Sequence, residues 1–437
     1  MQSLLPALMF PALFILIFLG IPVAFALIAV AFGFGVVAFG DNVGRILASR
    51  VEGVASGPVL AAIPLFIIMG SILERTSIAR RLFDVMQLWL GRLPGGLAVA
   101  AIAMCAVFAA ATGIIGAVET VIGMMAIPPM LKYAYDKRLI SGTICAGGSL
   151  GTIIPPSITV IIYGSIAEVS IGDLLLGIVA PGGLMVVAFI AYIVVIALID
   201  PKVGPPVAGA AVPLRDKVRL TATGLLPAAI LIVAVLGSIM FGIASPTEAA
   251  AIGAAGALVL ALVYGEFTPK VGYEALRKSV SISAMVMMIV LGGSLFSGVF
   301  LVSGGRALIN GLVADLTLGP HGLIALFLLI VFLLGFVLDW ITIVLITVPI
   351  FLTPLKAAGV DQVWFGVLML VVIQTSYLTP PMAPAIFYFR TIAPPAITYG
   401  HMVRGIVPFV ALQILVLAAV WLWPALATFL PKNLLGF

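Results

Sequence analysis

Charged residues divide this chain into long apolar runs. Residues 1–40, 139–167, 174–199, 220–246, 279–305, 362–389 and 405–431 contain no Asp, Glu, Lys or Arg. Residues 93–131 carry Glu119 alone, and residues 316–355 carry Asp339 as their one formally charged side chain. A membrane-crossing helix needs roughly 20 apolar residues, so each run holds one crossing or a tight pair of part-crossings. Short polar connections at 41–58, 74–92, 200–219 and 265–278 separate them. The runs are continuous, whereas a membrane β-barrel shows short alternating strands and a polar lumen. The pattern therefore predicts an all-α polytopic membrane protein.

Composition agrees. Of 437 residues, 63% are hydrophobic and 8% charged, against roughly 25% charged in soluble domains, which excludes a soluble fold. The net charge is +5. No basic run is long enough for a nucleic-acid surface, so the excess is assigned to positive-inside loops. Cys105 and Cys145 lie in apolar stretches and read as small buried hydrophobes. His321 and His401 fall in different segments, which argues against a transition-metal site. The start, MQSLLPALMF, reads as a first spanning helix and not as a cleaved signal peptide.

The two halves repeat. Pro155-Pro156 aligns with Pro380-Pro381 and Tyr163 with Tyr388 at an offset of 225. Arg80–Leu82 falls against Arg306–Leu308, and Leu93–Leu97 near Gly319–Leu323. The common order and spacing favour duplication. The expected organisation is a first repeat over 1–199, a cytoplasmic linker at 200–219 and a second repeat over 220–437. Four Arg lie between Arg75 and Arg92, but the mate of that stretch has only Arg306. The positive-inside rule then places the two on opposite sides, the signature of an inverted-topology repeat.

Two windows carry the most information, at about 140–167 and 362–390. Each has a Pro-Pro pair near its middle, flanked by Gly, Ser or Thr. Proline removes an amide donor and collides with the preceding turn, and it pushes the residue before it toward an extended conformation. Each window should form two short helices meeting at a tip. An arm of about 12 residues spans about 18 Å, less than the roughly 30 Å hydrocarbon core, so a re-entrant hairpin is expected. Such a tip frees backbone groups, which only protein or a water-filled cavity can satisfy.

The first tip comprises Gly148, Ser149, Gly151, Thr152, Pro155, Pro156 and Ser157; the second comprises Thr375, Ser376, Thr379, Pro380 and Pro381. Their hydroxyls and freed carbonyls suit a hard cation such as Na⁺, and short-helix N-termini favour an anionic substrate. The competing reading is a pair of Pro-kinked spanning helices packed by small residues.

Two segments precede these windows. Thr112, Gly113, Gly116 and Glu119 form one group, with the glycines and hydroxyls at Thr112–Gly116 expected to unwind a helix facing the first tip. Gly335, Asp339 and Thr342 form the other. An ionisable group inside a membrane segment is a functional hypothesis by default. Glu119 and Asp339 are expected to ligate cations, relay protons or accept backbone hydrogen bonds. The alternative for each is a helix-end carboxylate near the interface. The five tryptophans mostly sit near run ends, as interfacial anchors do, and Met285, Met287 and Met288 read as packing. Gly147–Thr152 (GGSLGT) lacks the Lys-Ser/Thr of a phosphate loop. No Ser-His-Asp, paired-carboxylate or HExxH pattern occurs, so neither an enzyme nor ATP-driven transport is expected.

At GTICAGGSLGTIIPPSITVIIYG the sequence resembles the large membrane subunit of tripartite ATP-independent periplasmic (TRAP) transporters, the DctM type. The resemblance extends to LGIPVAFAL (Leu19–Leu27), IPLFIIMGSIL (Ile63–Leu73), VSIGDLLLGIVAPG (Val169–Gly182) and LTPPMAPAIFYFR (Leu378–Arg390). It implies an elevator-type transporter of the ion transporter superfamily in a bacterial cytoplasmic membrane. It implies a sodium-coupled importer of a small organic acid, with Na⁺ as coupling ion and no other cofactor. It further implies a small four-helix membrane subunit and a soluble periplasmic substrate-binding protein as partners. The implied sodium region covers the hairpin tips, Thr112–Gly116 and Asp339–Thr342.

One departure stands out. Many family members carry Ser-Gly-Ser-Ser where this chain has Thr112-Gly113-Ile114-Ile115, which removes two hydroxyls, and Glu119 occupies a usually uncharged position. The alternatives are a self-sufficient ion-coupled carboxylate transporter, or a channel or membrane scaffold. The sequence shows no filter-like charged ring for a channel.

The charge distribution makes a topological prediction. Reporter fusions at both termini should read as non-cytoplasmic, and two cytoplasmic termini would contradict the assignment.

Overall fold

The structure is a computed structural model, and it describes residues 5–112, 115–207, 213–316 and 318–434. Among the described residues every regular element is a helix. Seven helical stretches are long and apolar enough to cross a membrane, including Val23–Ala55, Ile171–Ile199, Pro269–Asp315 and Tyr399–Leu422. An eighth arises if Leu214–Gly224 and Leu226–Met240, bent by 43°, form one span. Pro269–Asp315 is itself interrupted at Leu301–Gly305, where Gly304 adopts φ 107°. That backbone angle is open to glycine and strained for most other residues.

The helices run in the same order twice. Gly96–Thr112, Ile115–Lys132, Lys137–Ser149, Ile158–Ala167 and Ile171–Ile199 follow one another in the first half. Pro320–Leu334, Trp340–Ala357, Gln362–Leu378, Pro384–Ile392 and Tyr399–Leu422 do so in the second. Ile115 and Trp340 open equivalent helices 225 residues apart, as do Lys137 and Gln362. The capping side chains repeat as well. Asp136 accepts from the Arg138 amide at 2.6 Å, and Asp361 accepts from the Trp364 amide at 2.9 Å. Such caps satisfy amide donors that helix starts leave open.

Both Pro-Pro windows break as expected. The first yields arms Lys137–Ser149 and Ile158–Ala167, the second Gln362–Leu378 and Pro384–Ile392, and both Pro-Pro bonds are cis. Pro128-Pro129 behaves differently and stays within the helix Ile115–Lys132. That helix ends only a few residues later, so the missing amides fall in its closing turns.

The halves interlock. Ile158–Ala167 packs on Trp340–Ala357, while its counterpart Pro384–Ile392 packs on Ile115–Lys132. Lys137–Ser149 lies along Tyr399–Leu422 at a glycine-glycine crossing. A Cβ at Gly142 would run into the Gly405 carbonyl, and one at Gly405 into the Arg138 carbonyl. Small residues of this kind let helix backbones approach closely. Outside this inner bundle, Val23–Phe39, Ala62–Arg75, Pro246–Val263 and Pro269–Phe300 pack on one another. Pro269–Phe300 also packs on Trp340–Ala357 and so joins the outer group to the inner one.

The polar connections at 74–92, 200–219 and 265–278 converge. Lys278 pairs with Glu74 at 2.5 Å, and Arg75 pairs with Glu274. Glu266 accepts from the Ser77 amide and hydroxyl and from Arg81, whose guanidinium covers the Tyr264 ring at 4.5 Å. Burial pushes the Glu266 carboxyl up, but these donors outweigh it and hold it below the usual carboxylate range. Trp89 donates to the Thr221 hydroxyl at 2.9 Å, and the Val207 amide donates to the Gly91 carbonyl at 2.8 Å. The first part of the 200–219 joint is thereby docked on the first half; residues 208–212 lie outside the described ones. Each exposed ion pair contributes little alone, about 0–1 kcal/mol, but their shared location puts the basic connections at one end of the molecule.

Not all tryptophans are anchors. Trp364 is buried and donates to the Val420 carbonyl at 2.9 Å. Trp340 lines an internal cavity. The flanking runs placed both near an interface because sequence position alone does not show which helix end meets protein.

The close crossing gives a direct test. Gly405→Ala should lower stability by about 1–3 kcal/mol through overpacking, measured as a reduced melting temperature in detergent. Gly183→Ala, with nothing within 4 Å of the added carbon, should leave it unchanged.

Candidate functional site

A cavity of about 610 Å³ lies between the outer and inner helices. Pro22–Phe25 and Ile282–Ile289 supply the outer wall. The inner wall comes from Gly116, the Gly335–Ile343 break, Ser376–Tyr377, Pro384 and Tyr388. Four residues singled out from the sequence therefore meet here: Gly116, Gly335, Asp339 and Ser376.

The break in the second half is well defined. Phe336, Val337 and Leu338 amides turn back on Leu333 and Leu334 carbonyls, closing the helix Pro320–Leu334. Asp339 then starts the next helix. Its Oδ2 accepts from the Ile341 amide at 3.0 Å and the Thr342 amide at 3.3 Å, and its Oδ1 accepts from the Thr342 hydroxyl at 2.5 Å. Of the roles expected for Asp339, accepting backbone hydrogen bonds is the one visible. Gly335 is needed because a Cβ there would overlap the Ser376 hydroxyl. In the first half, Gly113 and Ile114, between the helices Gly96–Thr112 and Ile115–Lys132, lie outside the described residues, as does the Thr112 side chain. Gly116 sits inside the resumed helix, and a Cβ there would come within 2.7 Å of the Tyr388 ring.

The first hairpin tip is not in this cavity. Gly148, Ser149, Gly151, Thr152, Pro155, Pro156 and Ser157 are all buried in packed protein. The Ser149 hydroxyl donates to the Ala146 carbonyl at 2.7 Å and accepts from Gln374 Nε2 at 3.1 Å and Gln413 Nε2 at 3.2 Å. Thr152 donates to the Ser149 carbonyl and Ser157 to the Thr152 carbonyl. The second tip is more open: Pro380 is half-buried and Pro381 exposed. Its hydroxyls also turn back on the helix, Thr375 to Val371, Ser376 to Ile373 and Thr379 to Thr375.

Glu119 lies against the first tip. It is completely buried, in the second turn of the helix Ile115–Lys132. A Cβ at Gly148 would overlap its side chain. Neither carboxylate oxygen has a hydrogen-bond partner among the described residues. The same is true of the buried carbonyl oxygens of Gln374 and Gln413 and the Tyr377 hydroxyl.

Sequence reasoning passed over Gln374, Gln413 and Tyr377, read Trp340 as an interfacial anchor, and used Tyr388 only as a repeat marker. A usable signal existed for the amides. Gln374 adjoins Thr375-Ser376, and Gln413 is the only polar side chain between Phe409 and Val420. Met285 and Met288 were assigned to packing; both line the cavity, and Met285 is exposed.

Broken helices, paired short-helix hairpins and an internal cavity define a multi-pass membrane transporter. Two solved structures share the fold. One is the YdaH transporter of Alcanivorax borkumensis, at TM-score 0.60 and 17% identity, covering 87% of this chain and 88% of that one. The other is MtrF of Neisseria gonorrhoeae, at TM-score 0.63 and 13% identity, covering 88% and 84%. The family model "Tripartite ATP-independent periplasmic transporter, DctM component" matches residues 10–426. Curated relatives agree. The ectoine/5-hydroxyectoine TRAP transporter large permease protein UehC of Ruegeria pomeroyi is 31% identical, covering 97% of this chain and 98% of its own. The C4-dicarboxylate TRAP transporter large permease protein DctM of Pseudomonas aeruginosa is 31% identical over 90% of each. The sialic acid TRAP transporter large permease protein SiaM of Vibrio cholerae is 28% identical over 97% of each. The chain belongs to the DctM component family of TRAP transporters; it is a transporter subunit and not an enzyme.

The packing at the first tip can be tested by compensation. Gly148→Ala should lower the melting temperature, and adding Glu119→Ala should restore it. Ser149→Ala should cost about 1–3 kcal/mol for each amide left without an acceptor. An unchanged melting temperature in Ser149→Ala would refute the hydrogen-bonded node.

Proposed function

We propose that this chain is the large permease subunit of a sodium-coupled importer that takes a small organic acid from a soluble periplasmic binding protein. It works in the bacterial cytoplasmic membrane with a small four-helix partner subunit. The observation that carries the reading is the helix order repeated in the two halves, each with its Pro-Pro hairpin, the two interlocked beside one cavity. In this reading the units are inverted with respect to each other and form the moving body. The outer helices form the scaffold, and the body slides against them as an elevator. The unequal exposure of the two tips supports this, since one tip is sealed in protein while the other opens at Pro381.

Sodium fits the oxygens present. The hydroxyls of Thr152, Thr375, Ser376 and Thr379 donate their protons to backbone carbonyls, which leaves lone pairs free to face a cation. Buried oxygens of Glu119, Gln374 and Gln413 lack donors, and uncompensated buried oxygens are costly. Asp339 and Thr342 add oxygens at the second break. The relatives named for ectoine, C4-dicarboxylates and sialic acid support an organic acid as substrate.

The reading is tested by reconstituting the chain with its small subunit and binding protein in liposomes. Uptake should require an inward sodium gradient and the binding protein. Equal uptake without sodium would overturn the coupling, and uptake by this chain alone would identify a self-sufficient transporter. Ser376→Ala should raise the sodium concentration for half-maximal uptake more than the substrate concentration.

A further inference from the structure

A second cavity, of about 480 Å³, lies where the basic connections gather. It opens between the helices Ile78–Leu90 and Leu214–Gly224. The first presents Arg81, Asp84, Val85 and Leu88, whose spacing puts them on one face. The second presents Leu220, Thr223 and Gly224, again on one face. The helices close on each other at Gly224, where a Cβ would come within 3.1 Å of Val85 and 3.3 Å of the Arg81 carbonyl. Val207, Gly91 and Arg92 also line the space. The Val207 amide bonds to the Gly91 carbonyl, which ties the joint between the halves to the cavity's edge.

The surroundings are those of a membrane surface. Leu214–Gly224 meets Leu226–Met240 at a 43° bend, so it leaves the axis of the crossing helix. On that crossing helix Leu226, Ile230 and Val233 are exposed at helical spacing, a stripe that suits lipid. Leu214–Gly224 mixes Arg215, Lys217 and Arg219 with exposed Leu214, Val218 and Leu220, the composition of an interfacial helix. Trp89 is exposed beside Leu88, donates to the Thr221 hydroxyl and carries Lys217 Nζ 5.2 Å from its ring centre. Indoles with one apolar and one polar side favour headgroup depth.

The charges choose the ligand. Arg81 donates to the Ser77 hydroxyl and to Glu266, yet 42% of its side chain stays exposed, so a fixed guanidinium still faces outward. Arg92 lines the cavity and Lys217 adjoins it. Asp84 is the only acid among the described lining residues. Burial pushes its carboxyl up, and the Arg80 charge pulls it down. A phosphodiester carries one negative charge and accepts from guanidinium donors. A phosphate dianion would set its extra charge against Asp84, whereas the hydroxyls of a glycerol headgroup can donate to that carboxylate. A choline or ethanolamine headgroup would bring a cation of its own among the arginines.

We propose that this second cavity seats the headgroup of an anionic phospholipid, a phosphatidylglycerol. Its phosphodiester lies at Arg81 and Arg92, its glycerol hydroxyls at Asp84, and its acyl chains run along Leu226–Met240. The site is separate from the cavity beside the helix breaks, and the assignment depends on neither the substrate nor the coupling ion. A lipid seated here touches a helix of the first half, the joint at Val207 and the first helix after the joint, and so clamps all three.

The test titrates the full-length chain, in a neutral detergent, with short-chain phosphatidylglycerol and follows the melting temperature. Phosphatidylglycerol should stabilise the chain at lower concentration than short-chain phosphatidylcholine or phosphatidylethanolamine. Arg92→Gln and Lys217→Gln should each raise the concentration for half the shift about fivefold, which is what one basic residue near a lipid surface supplies. Arg277→Gln removes an exposed cation that does not line the cavity and should change nothing. Thr223→Trp fills the cavity without removing a charge, so it should abolish the shift and keep the unliganded melting temperature. If Thr223→Trp does not fold, the contrast between Arg92→Gln and Arg277→Gln decides. Inorganic phosphate acting as well as phosphatidylglycerol would overturn the lipid assignment in favour of a free-anion site. Equal action of the choline or ethanolamine lipid would overturn the choice of headgroup. A loss in Arg277→Gln as large as in Arg92→Gln, or a full response in Thr223→Trp, would replace a built site by diffuse attraction to basic residues and overturn the proposal.

Discussion

A helix that stops inside a membrane exposes carbonyl and amide groups that lipid cannot satisfy. This chain stops helices at Gly335–Asp339 and at both Pro-Pro pairs, and most of its inner architecture answers the resulting demand. Asp339 takes two amides at the second break. Ser149, Thr152 and Ser157 hand their protons to carbonyls around the first tip. The larger part of the answer is topological. Each short second arm is covered by the broken helix of the other half, so neither half could bury its own interruptions alone. Interlocking and helix breaking are therefore one device.

The two halves spend their symmetry differently. At the second break an acid is fully partnered and faces a cavity; in the first half an acid is unpartnered and faces packed protein. The first tip is sealed and the second is open. A strictly symmetric pair of hairpins would be equally accessible from both sides, so some asymmetry is required of any state in which a pathway faces one side only. Here it is written into residue type as well as conformation: Ser376 has a glycine, Gly151, at the equivalent position 225 residues earlier.

Much of this was legible from the chain. Charge-free runs located the helices, because charges are costly in lipid and collect at connections. The Pro-Pro pairs located the hairpins, because the effect of proline on a helix is local. The convergence of the basic connections followed from the positive-inside rule. What failed to show was lateral: which face of an apolar helix meets another helix and which meets a cavity. Trp364 looked like an anchor and is core, whereas Met285 looked like packing and lines the cavity. Membrane helices are apolar on both kinds of face, so periodicity carries little of the inside-outside information it carries in soluble proteins. Gln374 and Gln413 were passed over although an amide in an apolar run demands a partner, and Ser149 is the partner of both.

The Ser149–Gln374 contact has a consequence of its own. The two residues stand 225 positions apart, the spacing that relates one half to the other, so each touches its own counterpart. In a chain built from two copies of one unit, counterparts meet only where the rotation axis passes. Elsewhere an ancestral residue appears twice in separate surroundings, and each copy can change alone. On the axis the two copies are each other's surroundings. That place is where a fused pair gains most by becoming unlike, one member an acceptor and the other a donor, and a Ser facing a Gln is such a pair.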